Sequence, residues 1–119
     1  MIAEQIKFHH LECKDLDDVM IIDAEAFSEP WSETLWDKEL SRLDRMYLGA
    51  FYQHRLIGFG GGLRIEKDFH ITTIATLTRF RNHGVATLLL KSLIENLIDE
   101  FGIISGVTLE VRASNDSAQ

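Results

Sequence analysis

Arg81-Asn82-His83-Gly84-Val85-Ala86 is the stretch of this sequence best suited to chemistry. It opens the segment Val85 to Phe101, in which Val85, Leu89, Leu93, Leu97 and Phe101 recur every fourth residue with Ala86, Leu90, Ile94 and Ile98 beside them. That spacing predicts an amphipathic helix. The first N–H groups of a helix have no intrahelical partner and carry partial positive charge. A pyrophosphate against Arg81, Asn82, His83, Gly84, Val85 and Ala86 would therefore be held by backbone donors, with Gly84 allowing close approach. An ordinary strand-to-helix turn would also use glycine for its geometry. The threonine-rich run before the loop and the strongly striped helix after it supply the context that a phosphate-binding turn requires. No Gly-Lys-Ser or Gly-Lys-Thr follows, and the Gly-x-Gly-x-x-Gly fingerprint is absent, so neither of those nucleotide loops is present.

The elements that must hold this loop can be read from periodicity. Ile6 to Leu11 is a short strand, and Asp15 stands where it would cap a helix carrying Leu16, Val19, Met20, Ile22 and Phe27. Pro30 breaks that helix, and Ser32 starts another with Leu35, Trp36, Glu39, Leu40 and Leu43. Met46 to Tyr52 and Leu56 to Leu63 read as strands joined by Gln53-His54-Arg55, a link that permits only a hairpin. Phe69 to Leu77 adds a third meander strand, and Val107 to Val111 a last one beyond the Gly102 helix stop. A strand, helix, strand crossover of this length implies a parallel pair, so the sheet is expected to be mixed.

With 119 residues, 45% of them hydrophobic, the chain suits one domain with a real core. A net charge of −7 argues against broad attraction to nucleic acid. Cys13 is the single cysteine, which excludes an intrachain disulfide and a multi-cysteine metal site. His9, His10, His54 and His83 show no compact metal-ligand spacing, so no metal is expected. The apolar runs are interrupted well before membrane-spanning length, and Met1 to Glu12 lacks the basic leader and long apolar core of an export signal. A cytoplasmic protein without a membrane partner is the expectation.

Five segments in chain order carry a family resemblance: Phe27-Ser28-Glu29-Pro30-Trp31-Ser32, Ile57-Gly58-Phe59-Gly60-Gly61, His70-Ile71-Thr72-Thr73-Ile74-Ala75, Arg81 to Ala86, and Leu109-Glu110-Val111-Arg112-Ala113-Ser114-Asn115. Together they resemble the GCN5-related N-acetyltransferases (GNATs), in the branch that acetylates the N-terminal amine of ribosomal proteins. The resemblance implies an α/β (α+β) fold with a mixed, mainly antiparallel sheet and helices on both faces. It implies acetyl transfer from acetyl-CoA to a primary amine, with a protein or peptide N-terminus as partner. It places Ile74, Ala75 and Thr76 along the pantetheine arm, the Arg81 to Ala86 loop at the pyrophosphate, and Asn115 beyond the fifth strand as a further cofactor contact.

The attacking amine must lose a proton, because an ammonium has no lone pair with which to attack a thioester. Family members often place a glutamate just before the fourth strand, and that position falls on Asp68 here. An aspartate is one methylene shorter, which favours a water relay over direct proton removal. His70 is the second candidate, since an imidazole can accept a proton at neutral pH. Asp68, His70 and Thr72 share one strand parity, so both candidates face one side if the strand begins early and has no bulge. The resemblance sets Glu29, Pro30 and Trp31 on the substrate side, together with Glu25. Proline there fixes the bend and tryptophan offers a large apolar wall.

Three departures stand out. Thr78 occupies the place of a common proline, and Ala86 that of a second small residue, usually glycine. The family also continues through a helix bearing a tyrosine and then a hairpin, whereas this sequence stops at Gln119. The expectation is thus a single domain over residues 1–119, truncated at its C-terminus and lacking that helix and hairpin. It would bind acetyl-CoA better than it turns it over, and would self-associate through the uncovered edge of the last strand. Two other functions fit the same residues: a small-molecule amine acetyltransferase, and a noncatalytic acyl-CoA-binding or subunit-association module.

Overall fold

The computed structural model describes residues 2–112, so Asn115 lies outside the described residues. One sheet runs in the order β1-β2-β3-β4-β5, from β1 (Lys7–His10), β2 (Arg45–Tyr52), β3 (Arg55–Ile65), β4 (Asp68–Thr76) and β5 (Gly106–Leu109). Neighbours are antiparallel except β4 and β5, which are parallel. That exception follows from the crossover helix α3 (Val85–Phe101), since parallel neighbours cannot be joined by a tight turn. Helices α1 (Leu16–Ala26) and α2 (Glu33–Ser41) cover the other face. Trp36 of α2 meets Phe59 of β3 edge-on at 5.2 Å. On the opposite face, Leu93 of α3 lies 3.3 Å from where a Cβ on Gly60 would stand. The mixed, mainly antiparallel sheet with helices on both faces is the expected architecture.

Local chemistry sets most boundaries. Ser32 caps α2 by accepting the Leu35 N–H at 3.1 Å. Asp15 does not cap α1 in that way: its carboxylate turns back to accept the Glu12 N–H at 2.9 Å, closing the short 3₁₀ turn Cys13–Asp15 instead. Helix α2 ends at Ser41, which leaves Leu43 off the helix and 94% exposed, contrary to the spacing. The β2–β3 hairpin closes on Gln53 and His54, both at positive φ (51° and 67°), the backbone that a two-residue hairpin demands. β5 is shorter than predicted and ends at Leu109, although the chain stays tied to β4 by Glu110 N–H to Ile71 O (3.0 Å) and Arg112 N–H to Thr72 O (3.2 Å).

A bulge in β4 shapes the site. Gly61 pairs with Thr73 and Gly62 with Ile71, so Thr72 is the extra residue. Gly62 is needed there, because a Cβ would come within 1.8 Å of the His70 carbonyl oxygen. The bulge exchanges faces. Phe69 packs on Phe101 of α3 before it, and Ile74 and Thr76 lie on the α3 side after it, near Leu93 and Val85. Thr73 instead points to the α1 side, where it meets the hydrogen-bond network of Asp23. β4–β5 register ends at Ile71 and Leu109, while β4 runs on beside β3 to Thr76.

Candidate active site

Beyond the bulge, β4 has an edge that no described strand pairs with. Leu77 N–H donates to Ile57 O at 2.8 Å, and by the alternation of an antiparallel pair Thr73 and Ala75 also turn their backbone groups to β3. Ile74 and Thr76 therefore direct theirs to the side that β5 has left, where a bound chain of amides can complete them. Thr76 adds a side chain to this edge: its Oγ1 is buried and has no hydrogen-bond partner among the described residues. Ala75 differs from its two neighbours, since its backbone faces β3 and its side chain is in the core.

The edge leads into the glycine loop. A 3₁₀ turn at Thr78–Phe80 carries the chain to Asn82 (φ 67°) and Gly84 (φ 77°), and Gly84 is the N-cap of α3 without a side-chain cap. A cavity of about 190 Å³ gathers Thr76, Arg81, Asn82, Gly84, Val85 and Ala86 on its wall. His83 is exposed on the same loop. Among the described residues nothing outside the glycine's own chain neighbours lies within 4 Å of a Cβ built on Gly84, so that side of the loop is open. Backbone donors at a helix start, an open approach and an orphaned buried hydroxyl fit a phosphate-bearing ligand whose arm extends along β4. The turn is held from α1: Glu25 Oε1 accepts the Thr78 N–H. That bond, foremost, keeps the Glu25 carboxyl below its ordinary value, with the nearby Arg81 and Arg55 acting in the same direction.

The α1/α2 face holds a second assembly. Asp23 is wholly buried; its Oδ2 accepts the Trp31 backbone N–H at 2.7 Å and the Trp36 indole N–H at 3.0 Å. Its Oδ1 accepts from Arg112 Nη2, which also donates to Thr73 Oγ1 at 2.9 Å. The Arg112 guanidinium stands 4.0 Å from the Phe27 ring centre and 4.1 Å from that of Trp31. Of the predicted substrate residues, Trp31 thus enters a built structure, while Glu29 and Pro30 are exposed on the link beside it. Asp23 is not evident as a functional residue in the sequence, although it falls on the buried stripe with Val19, Ile22 and Ala26 at helical spacing. A carboxylate on an apolar stripe is the signal that marks it.

Three proton-accepting groups lie along the same face. Asp68 is exposed at the first residue of β4, and His70 follows with its Nδ1 2.6 Å from Thr108 Oγ1. The strand begins early, as the shared facing of these two requires, and the bulge falls beyond both. Alternation along β5 and its continuation puts Thr108, Glu110 and Arg112 on this face. Glu110 is exposed, and its N–H binds the Ile71 carbonyl immediately before the bulge. Its place becomes visible only once the bulge is located. Among the described residues no group of three or more histidine, cysteine or acidic side chains could hold a metal ion, and no helix is long and apolar enough to cross a membrane.

Residues 16–119 match the model of the acetyltransferase (GNAT) family. The chain belongs to that family. Among curated GNAT relatives, an uncharacterized N-acetyltransferase of Methanocaldococcus jannaschii is 34% identical over 86% of this chain and 65% of its own length. A putative [ribosomal protein bS18]-alanine N-acetyltransferase of Bacillus subtilis is 28% identical over 92% of this chain and 72% of its own. The chain spans only 32% of an uncharacterized Mycobacterium leprae protein to which it is 28% identical over 97% of its length. Solved structures confirm the GNAT fold. The ribosomal-protein-S18-alanine N-acetyltransferase of Escherichia coli superposes with a TM-score of 0.80 at 24% identity, covering 95% of this chain and 71% of that one. The PaiA N-acetyltransferase of Thermoplasma acidophilum, solved in complex with coenzyme A, gives 0.72 at 21% identity, covering 82% and 74%.

Proposed function

We propose that this chain transfers an acetyl group from acetyl-CoA to a primary amine, and that its acceptor is the N-terminal amine of a protein such as a ribosomal protein. The observation that carries the reading is the alignment of three features in one path: the edge of β4 at Ile74 and Thr76 that no described strand pairs with, the Thr76 hydroxyl that has no partner among the described residues, and the glycine cradle at the start of α3. Acetyl-CoA supplies an activated thioester, so the protein's task is mainly to bind, orient and move a proton.

The N–H groups that follow Gly84 hold the pyrophosphate, with Arg81, Asn82 and the exposed His83 around it. The backbone of Ile74 and Thr76 holds the pantetheine amides, and Ala75 keeps that edge in place through β3. This brings the acetyl carbon to the bulge at Thr72. Glu29, Pro30 and Trp31 line the acceptor's approach from the other side. The ammonium first gives one proton to Glu110, whose backbone is bound beside the bulge, and the freed lone pair bonds to the carbonyl carbon. His70 and Asp68 continue the same face toward solvent and relay that proton onward. As the carbon–sulfur bond breaks, the nitrogen's second proton passes to the departing sulfur, and coenzyme A leaves as the thiol.

Relatives named for the alanine terminus of a ribosomal protein support the acceptor class. Calorimetry with acetyl-CoA, followed by thiol release with Ala- and Ser-starting peptides and with small amines, tests the reading. Peptide-dependent release is expected. Release with small amines alone selects a small-molecule acetyltransferase, and tight binding with no release selects a noncatalytic module.

A further inference from the structure

The chemistry just described leaves the buried cluster at Asp23 without a role. Its cost is notable. Among the described residues Arg112 Nε and Nη1 are buried with no hydrogen-bond partner, although Nη2 is well satisfied. Apolar groups of similar volume commonly stabilise a fold as well as a buried ion pair does, so stability is a poor account of this one. What charges and directional bonds supply is orientation. Through four hydrogen bonds the pair fixes the Trp31 backbone, the Trp36 indole, Thr73 next to the bulge and the chain after β5. The guanidinium then sets the Trp31 ring by stacking, at 4.1 Å.

We propose that Asp23 and Arg112 are positioning residues for the acceptor. They hold the Trp31 wall in register with the β4 bulge and with Glu110, which shares the strand face of Arg112. This rests on the acceptor side assigned above. The pair lies on the α1/α2 face, whereas Thr76 and the glycine cradle lie on the α3 side. Acceptor binding and cofactor binding should therefore respond separately to its loss.

The test is the double variant Asp23→Asn with Arg112→Met in the full chain, which leaves neither charge unpaired. Expected are a melting temperature close to wild type, unchanged acetyl-CoA affinity, and a peptide KM raised on the order of 10- to 100-fold. Both tryptophans of the chain sit in the network, so their emission should shift as well. Arg112→Lys keeps the charge but loses the planar stack, and should fall between. An unchanged peptide KM in the double variant overturns the proposal, as does acetyl-CoA affinity falling in step with it. Should the double variant not fold, Arg112→Lys with wild-type KM and emission overturns it equally. If the wild type acetylates no amine, the acetyltransferase reading fails on its own. Tryptophan emission then decides the positioning, with an unshifted spectrum counting against it.

Discussion

Oε1 of Glu25 in α1 accepts the backbone N–H of Thr78 at 2.5 Å, tying α1 to the turn that leads into the glycine loop. The family resemblance puts a proline at this position, and proline has no N–H to satisfy, whereas Thr78 has one. Glu25 completes that donor. Glu25→Ala is expected to weaken acetyl-CoA binding roughly three- to tenfold, and the same change made in a Thr78→Pro background should have little effect. Calorimetric titration of the two single variants and the double checks the coupling, and additive losses would refute it.

The Glu25 carboxyl also makes stability pH-dependent. It lies below its ordinary value of 4.5, first because of the Thr78 backbone bond and then its hydroxyl. A depressed carboxylate contributes stability above its unfolded value and loses it as pH falls through the folded one. The advantage of wild type over Glu25→Gln in urea denaturation should hold constant above this value and shrink below it. A gap that widens on acidification would contradict the assignment.

Gly84 carries two burdens, a left-handed backbone and the open side of the loop. Gly84→Ala should lower stability by about 1–2 kcal/mol, the usual cost of that backbone for a residue with a Cβ. Gly84→Val should in addition cut acetyl-CoA affinity at least tenfold, because its side chain stands where the phosphates approach. Lys91→Ala, on the exposed side of α3, is the control and should alter neither. Thermal melts with calorimetry separate the two effects, and a Gly84→Val variant that binds normally would move the cofactor elsewhere.

The parts legible in the sequence were those governed by local rules. The four-residue stripe from Val85 to Phe101 gives the helix with its boundaries, Gly84 marks its start, and Ser32 marks that of α2. Other features depend on tertiary pairing and have no local signature. The Thr72 bulge arises because Gly62 lets the His70 carbonyl come close, and only then do Glu110, Arg112 and Thr73 fall on one face. Asp15 illustrates the limit at short range, since a residue of the right type at the right position bonds backward to Glu12. Arg112 reads from sequence only as part of a family segment, because its meaning comes from Asp23, far away in the chain.

Tyr47 and Glu39 lock α2 to β2. The phenol, 4% exposed, donates to Glu39 Oε1 at 2.6 Å, and Arg45 Nε donates to the same oxygen at 2.8 Å. Tyr47→Phe removes a bond to a charged acceptor and is expected to cost about 1.5–3 kcal/mol in chemical denaturation. Burial, followed by the Glu39 bond, pushes the phenol well above its ordinary 10.0. A raised value stabilises the fold below the unfolded value, and that support is lost as pH rises toward the folded one. The Tyr47 phenolate should therefore appear only as the protein unfolds in alkali, which ultraviolet titration beside circular dichroism can follow. Ionisation of Tyr47 with the fold intact would show the bond to Glu39 to be weak.

The proton's first stop is decided by comparing three substitutions. Glu110 is tied to the Ile71 carbonyl beside the bulge, whereas His70 is held by Thr108 and Asp68 starts the strand farther from it. If the acetyl carbon sits at the bulge, Glu110→Gln should lower kcat/KM about 10²- to 10⁴-fold with acetyl-CoA affinity intact. His70→Gln should cost less, and Asp68→Asn least, because a relay group can be bypassed by water. The pH–rate profile adds an independent reading: Glu110→Gln should recover activity as pH rises and the amine deprotonates unaided. The largest loss in His70→Gln would give the first proton transfer to the imidazole, and the largest in Asp68→Asn would place the acetyl group at the paired end of β4.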